Sequence, residues 1–488
     1  MSTATIVGSG PNGLAAAVHL ARQGVDVTVL EAADTIGGGT RSGELTVPGL
    51  IHDHCSAIHP MGAASPFLQT LGLERHGLRW LHPEIDCAHP LDSGDAGLLY
   101  TSVARTVEGL GEDGRVWHAL FNDLARDFDI LAGELMGPFF HVPRRPDKLA
   151  LFGPRALAPA TVLARLFRTE RGRALFGGLA AHVFSRLDRP ASSAVGLMIG
   201  ASGHKYGWVV AEGGSQAIAD SLAAVLAEHG GRIHTGVRVS SSSDIPPSDL
   251  VLLDTSPDTA LRVFGSRLPN RIASSFRRFS AGPAAYKVDY AVTGGVPWRN
   301  ADCGRAGTVH LGGGFDEIHQ AEKACALGRM PERPFVLVGQ QYVADPGRAA
   351  GDTVPLYAYA HVPADYPGRA EEAVTAQIER FAPGFRDRIV ATHVTPPWRL
   401  EAQNENQRGG DIVGGSNAGL QVVFRPRISA DPYSLGIPGA YLCSASTPPG
   451  AGAHGMPGYN AARAALKYLG TETGAPSVMS VERDENRA

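Results

Sequence analysis

Apolar and polar positions change period several times along the chain. Residues 4–8 (ATIVG) form a short apolar run, the pattern of a buried strand. Leu14, Val18 and Ala21 recur at helical spacing within residues 14–23, and Gly24 follows where a helix commonly ends. Residues 25–30 (VDVTVL) alternate and predict a second strand. The chain thus opens with a strand–helix–strand unit. Residues 212–227 predict a glycine turn and an amphipathic helix, followed by strands over 232–239 and 250–254. Longer strands of an antiparallel sheet are expected over 284–292 and 335–342, with a helix over 371–381. A strand over 439–444, a loop over 445–455 and a helix over 459–469 end the ordered chain. The polar tail, 473–488, is expected to be disordered. Between 115 and 200 helical periodicity runs over 123–136, 157–166 and 174–187, broken by Pro143, Pro146, Pro154, Pro159 and Pro190. That stretch reads as a helical insertion.

The first strand and helix are joined by Gly8-Ser9-Gly10-Pro11-Asn12-Gly13, a GxGxxG loop. The first glycine permits the tight turn, the second lets the backbone approach a pyrophosphate, and the third lets helix and strand pack closely. Free N–H groups and the positive helix end then face the phosphates. Glu31 ends the next strand, where a carboxylate can accept hydrogen bonds from both hydroxyls of a ribose. A second glycine loop, Gly37-Gly38-Gly39-Thr40-Arg41-Ser42, follows. It leaves room for a bulkier, extended dinucleotide, and its N–H groups and Arg41 could meet a second phosphate region. This favours FAD over a nicotinamide cofactor.

Length and composition then narrow the classes. The 488 residues, 43% apolar and 19% charged, exclude a largely disordered chain and admit roughly three domain-sized units. Forty-four basic against 48 acidic residues leave a net charge of −4 and no long basic run, which argues against nucleic acid as a partner. Five cysteines, at 55, 87, 303, 325 and 443, form no CxxC pair, so neither a zinc ribbon nor a dithiol redox centre is expected. A sparse, odd count fits a reducing cytoplasm. No secretory leader and no spanning helix are expected, because the first strand starts near Met1 and no 18-residue apolar stretch lacks charge.

With these motifs in place, GSGPNGLAAAVHLARQGVDVTVLEAADTIGGGTRS (8–42) resembles the FAD-binding start of the phytoene desaturase family, within the flavin amine oxidase superfamily. GAYLCSASTPPGAGAHGMPGYNAA (439–462) is similar to that family's C-terminal flavin motif, and EGGSQAIADSL (212–222) to its central segment. GGDIVGG (409–415) resembles a branch of phytoene-dehydrogenase-related oxidoreductases, some named for a pyridine nucleotide-disulfide oxidoreductase domain. Without a CxxC, disulfide exchange is not expected of this chain. The resemblance implies an α/β fold: a Rossmann-type FAD-binding domain with an antiparallel-sheet substrate domain and a helical insertion. The expected division is 1–80, 205–270 and 408–472 for FAD, 81–114 and 271–407 for substrate, and 115–204 for the insertion. It further implies that Gly8, Gly10 and Gly13, with Pro11 and Asn12 between them, face the pyrophosphate, and that Glu31 faces the adenosine ribose. Gly38, Gly39, Thr40 and Arg41 would line the middle of the cofactor, and Val239 would hold the adenine edge. Ser446, Gly455 and Met456 belong to the flavin end. The helix after Gly458 would point its positive end at the flavin, stabilising the reduced, anionic ring.

Candidates for substrate chemistry are fewer. His52, His54 and His59 could form a metal site, a proton relay or polar contacts beside the flavin; no metal is expected. A covalent flavin link through His54 or Cys55 is a further reading. Lys287 and Asp289 share one face of a strand. Lys287 could hold a water near the flavin, as a lysine does in amine oxidases, or simply pair with Asp289. Glu401, Asn404, Asn406 and Asp411 lie in a polar loop that could supply a base. His454 is the leading candidate for a polar group at the flavin. Residues 151–178 mix basic and apolar residues suited to lying on a bilayer, against the plainer reading of a cap over the flavin.

The resulting expectation is an FAD-dependent oxidoreductase that removes hydride from a small apolar substrate by C–C desaturation. Electrons would pass to oxygen or a quinone. A flavin-dependent isomerase or ketolase of a polyene, an amine oxidase, and a non-catalytic FAD-bound protein are the rivals. The expected location is cytoplasmic, with peripheral membrane contact open; the oligomeric state is left open.

Overall fold

Short β-branched runs at the start of the chain fold as the hub of a parallel sheet. The computed structural model describes residues 1–470. Its five-stranded sheet runs in the order Ala440–Leu442, Leu250–Leu253, Thr3–Val7, Asp26–Leu30, Arg232–His234, with every pairing parallel. Apart from the Thr3–Val7 and Asp26–Leu30 pair, neighbouring strands here lie far apart in sequence, so pieces from the start, middle and end of the chain converge in one sheet. Helices Pro11–Arg22 and Met456–Leu469 pack against each other at Gly458, where a Cβ would fall 1.7 Å from the Asn12 carbonyl oxygen. Only glycine permits that approach.

A second, seven-stranded sheet runs in the order Ile389–Thr395, Ala284–Thr293, Thr353–Val362, Val336–Gly339, Ala306–Leu311, Ile85–Pro90, Ala96–Leu99. Its pairings are antiparallel except that of Ala306–Leu311 with Ile85–Pro90. One face carries Val288, Tyr290, Leu356, Ala358, Val336 and Val338, buried beneath helix Glu371–Phe381. The opposite face turns toward the parallel sheet and the helical insertion. The insertion contains helices Gly114–Arg126, Phe128–Leu135, Pro146–Leu157, Ala160–Ala164, Glu170–Ala181 and Ala194–Tyr206. Trp117, Phe121, Phe128 and Phe176 are buried in the same core that holds the first βαβ unit.

Boundaries depart from expectation where tertiary bonds override the local pattern. The strand expected over 335–342 stops at Gly339, because the Gln340 side chain donates to the carbonyls of Cys303 and Ala306 (2.8 and 2.7 Å) and the backbone turns into helix Gln341–Ala344. The strand expected over 232–239 stops at His234, since Gly236 takes a left-handed φ of 70° and the next residues bond back to Glu31 and Ala33. The helix expected over 123–136 is two helices that break at Asp127. That over 157–166 is interrupted by the extended Ala158–Pro159 pair. The expected tail, 473–488, lies outside the described residues.

Candidate functional site

The GxGxxG loop is shaped by what its glycines leave empty. Gly8 has φ 99°, the left-handed region that side chains avoid. A Cβ on Gly10 would lie 2.6 Å from Asp254 Oδ2, and one on Gly13 would lie 2.2 Å from the Gly8 carbonyl oxygen. The second glycine loop touches the first: a Cβ on Gly38 would sit 3.1 Å from the Gly10 Cα, and the Gly37 N–H donates to the Ser9 carbonyl at 3.0 Å. Helix Pro11–Arg22 gets no cap from its own N-cap residue, Gly10; the Asp254 carboxylate instead takes the Gly13 N–H of its first turn at 2.9 Å.

Above these loops lies a cavity of about 430 Å³. Gly8, Gly10, Pro11, Asn12, Glu31, Gly38, Gly39, Thr40, Arg41, Val239 and Ser446 all line it. Residues separated by more than 400 positions thus share one hollow, whose wall includes Glu31 and Val239 as well as Ser446 and the 451–453 segment. Its glycines form the cradle that a Cβ would fill, which suits a dinucleotide backbone. Glu31 also organises the loop: it accepts from the Ser9 N–H and hydroxyl (2.8 and 2.5 Å) and from the Ala33 N–H (2.9 Å). Arg41 donates to the carbonyls of Gly38 and Gln403 at 3.0 and 2.8 Å.

Asp254 was not singled out by its pattern, yet it sits at the centre of the cradle. It is buried, accepts from the Gly13 N–H at 2.9 Å and lines the cavity. Burial pushes its carboxyl up to about 7, helped by the Glu31 charge, against the pull of the Gly13 N–H. The polar loop read as a source of a base reaches the hollow: Asn404, Asn406 and Asp411 line it and Glu401 does not. Asn406 donates to the Asp254 carbonyl at 2.9 Å and accepts from the Ser256 N–H at 2.7 Å, and Gln407 donates to Cys55 Sγ at 2.8 Å. A carboxylate ending a strand next to the first one was the available signal for Asp254.

A profile described as flavin containing amine oxidoreductase matches residues 12–258, just over half of the chain. The chain belongs to that family. It is a flavin-dependent oxidoreductase with FAD as its cofactor. This flavoprotein is 24% identical to pyridine nucleotide-disulfide oxidoreductase domain-containing protein 2 of Rattus norvegicus, over 96% of this chain and 93% of the relative. It is 28% identical to hydroxyneurosporene desaturase of Cereibacter sphaeroides, over 48% of this chain and 49% of the relative. A solved putrescine oxidase variant shares its fold with a TM-score of 0.61 at 18% identity, covering 96% and 99% of the two chains.

The remaining candidates of the oxidoreductase lie away from that hollow or are already bonded. Gly13, Gly455 and Met456 do not line the cavity; the Met456 N–H donates to His454 Nδ1 at 3.2 Å. His454 is buried and burial lowers its pKa to about 4, so it is a neutral structural acceptor at the start of the last helix. His54 does not line the cavity, and burial together with Lys287 lowers its pKa to about 4. His52 bonds Thr46 (2.7 Å) and His59 bonds Ser215 (2.8 Å), so the three histidines diverge. Lys287 is buried in an ion pair with Asp289, 4.5 Å from the Tyr357 ring centroid. Cys55 lines the cavity, with its thiol pushed up to about 11 by burial. All five cysteines are free.

Proposed function

We propose that this flavoprotein is a dehydrogenase that removes hydride from a long apolar substrate, in the manner of a desaturase. The observation that carries the reading is the wall that continues from the cofactor cavity. Cys55 and Ile412 line the cavity, and Ile412 packs onto a buried cluster of Ala57, Phe184, Leu337, Tyr357, Tyr359 and Leu400. The name of the Cereibacter relative points to the same chemistry. Residues 1–80, 205–270 and 408–472 would hold the cofactor, 81–114 and 271–407 the substrate, and 115–204 would cover it.

Bound FAD supplies a two-electron oxidant. Gly8, Gly10, Pro11 and Asn12 would present backbone and helix end to its pyrophosphate, Glu31 would accept from its ribose, and Gly38–Arg41 with Ser446 would fix its middle and flavin end. Val239 would hold the adenine edge. The apolar cluster would orient the substrate C–H and exclude water. Lys287, tied to Asp289, would position that wall through Tyr357. Oxygen or a quinone would take the electrons. Anaerobic mixing tests this: visible flavin bleaching by hydroxylated or plain polyenes supports it, whereas bleaching by amines alone would favour amine oxidation.

The location we propose is cytoplasmic, with the insertion resting on a membrane surface. No helix among the described residues is long and apolar enough to cross one. Phe139, Phe140, Val142, Leu157, Val162 and Leu166 are exposed, close in sequence to the exposed Arg144, Arg145 and Arg165.

A further inference from the structure

Edge strand Ile389–Thr395 of the seven-stranded sheet runs through Pro396 into helix Pro397–Gln403, and a polar turn follows. The turn holds itself. Asn404 Oδ1 accepts from the Asn406 N–H at 3.1 Å, the local bond that makes asparagine a turn former. The Gln407 N–H closes the turn on the Asn404 carbonyl at 2.8 Å. Residues 402–407 all line the cofactor hollow, yet Ala402, Gln403 and Glu405 are exposed. The segment is therefore a thin wall, with the hollow on one side and solvent on the other.

Its fastenings run to other residues of the same hollow. Arg41 donates to the Gln403 carbonyl at 2.8 Å, Asn406 donates to the Asp254 carbonyl at 2.9 Å, and Gln407 donates to Cys55 Sγ at 2.8 Å. Glu405 is clasped by two arginines. Arg262 of helix Pro257–Phe264 donates to one carboxylate oxygen at 2.7 Å, and Arg238 pairs with the other. Both arginines line the hollow. Arg238 stands between Val239 and Val237, whose N–H donates to the Glu31 carbonyl at 2.8 Å, so the clasp sits by Glu31, at the end expected to take the ribose and adenine. The fastenings differ in kind. Gln407 is buried and Asn406 half-buried, whereas the Glu405, Arg262 and Arg238 side chains are 43, 51 and 56% exposed. Exposed ion pairs are individually weak and screened by salt. Two of them on one carboxylate favour the closed wall without locking it.

We propose that residues 402–407 form a strap over the cofactor seat, and that Glu405, held between Arg238 and Arg262, is the latch that opens for FAD to enter or leave. The inference rests on the hollow being the seat of FAD, and it gives cofactor retention to a segment that arrives from the seven-stranded sheet. A latch has a kinetic signature that a simple contact lacks. Weakening it raises the open fraction of the empty and the loaded protein alike, so uptake and release accelerate together and Kd scarcely moves. Losing a contact to FAD speeds release alone.

The test uses the full chain, loaded with FAD and after FAD removal. Uptake of added FAD and release on dilution are followed through flavin absorbance and fluorescence. Glu405→Gln is expected to speed both by about three- to tenfold, the scale of two exposed ion pairs, with Kd changed less than about twofold. Arg262→Gln, which leaves the Arg238 pair, is expected to fall between variant and parent. Raising NaCl from about 0.05 to about 0.5 M is expected to speed release from the parent more than from Glu405→Gln, where the latch is already gone. Unchanged rates in Glu405→Gln would overturn the latch, and so would faster release with unchanged uptake. Should Glu405→Gln fold poorly, Arg262→Gln and the salt response of the parent decide by the same criteria. Gly10→Ala separates the latch from the seat. If it weakens FAD binding while Glu405→Gln leaves both rates unchanged, the latch fails and the seat stands. If it leaves FAD binding intact, the seat lies elsewhere and the latch falls with it.

Discussion

Replacing Arg348 by leucine isolates the joint on which the cofactor cavity depends. Arg348 is buried and bridges two carboxylates, Asp53 at 2.6 Å and Asp345 at 3.1 Å, while also donating to the Ala211 carbonyl at 2.7 Å. Asp53 meanwhile accepts from the Ser215 N–H and the Ser42 hydroxyl, both at 2.7 Å. The cluster pins the segment entering Cys55 and Ser56, which line the cavity, to the start of helix Gln216–Glu228. Removing one partner of a buried ion pair costs about 3–5 kcal/mol, because the other charge stays buried. The two short bonds that Asp53 keeps place the loss near the lower end, about 3 kcal/mol. In a cooperative unit of about 150–250 residues that is ~6–12 °C in Tm.

The sign with pH is a second check. Burial alone would push Asp53 up, but Arg348 and the Ser215 and Ser42 bonds hold it below the ordinary carboxylate range. In the unaltered protein Asp53 therefore contributes stability above its unfolded pKa, and this is lost as pH falls through the folded value. Without Arg348 burial dominates, the folded carboxyl titrates above the unfolded one, and the variant gains on acidification. Thermal unfolding of Arg348→Leu and the parent at pH 7 and pH 5 should show a gap that narrows at pH 5. A shift under about 2 °C at pH 7, against the 3–5 kcal/mol scale of buried pairs, or a gap that widens at pH 5, would refute the reasoning.

Other consequences are as direct. Gly10→Ala forces a methyl to within 2.6 Å of Asp254 Oδ2 and should weaken FAD binding by at least 100-fold in a fluorescence titration; an unchanged affinity would remove the loop from the cofactor site. Asp254, raised to about 7, favours the folded apoprotein fully below its unfolded pKa, and that contribution fades as pH rises through about 7. Apoprotein stability should therefore fall between pH 4 and 7, and Asp254→Asn should flatten that slope; a parallel profile in the variant would contradict it. Phe139→Ser combined with Phe140→Ser should reduce sedimentation with anionic vesicles severalfold, while equal pelleting would leave the insertion a plain cap.

The parts of this molecule legible in the sequence are those that depend on local geometry. Gly8, Gly10 and Gly13 announce the turn because each is needed for a backbone reason, and Glu31 follows at the end of the adjacent strand. The helix over 371–381 is read correctly because one amphipathic face meets one sheet. By contrast, Asp254 acquires its environment only when strand Leu250–Leu253 pairs beside Thr3–Val7, across some 240 residues. The end of the strand at Gly339 is set by Gln340 reaching carbonyls more than 30 residues away. The motif marks His454 as a candidate, and only the fold shows that its Nδ1 accepts from the Met456 N–H. Tyr357, Tyr359 and His361 alternate with alanines along strand Thr353–Val362. That pattern ordinarily marks a solvent face, but all three are buried here.

The central claim is that the hollow above the two glycine loops holds FAD. Its most direct test is the visible spectrum of the purified protein, followed by acid extraction and quantification of the chromophore. The account predicts flavin absorption with one FAD released per chain. A colourless protein that takes up no added FAD would contradict it.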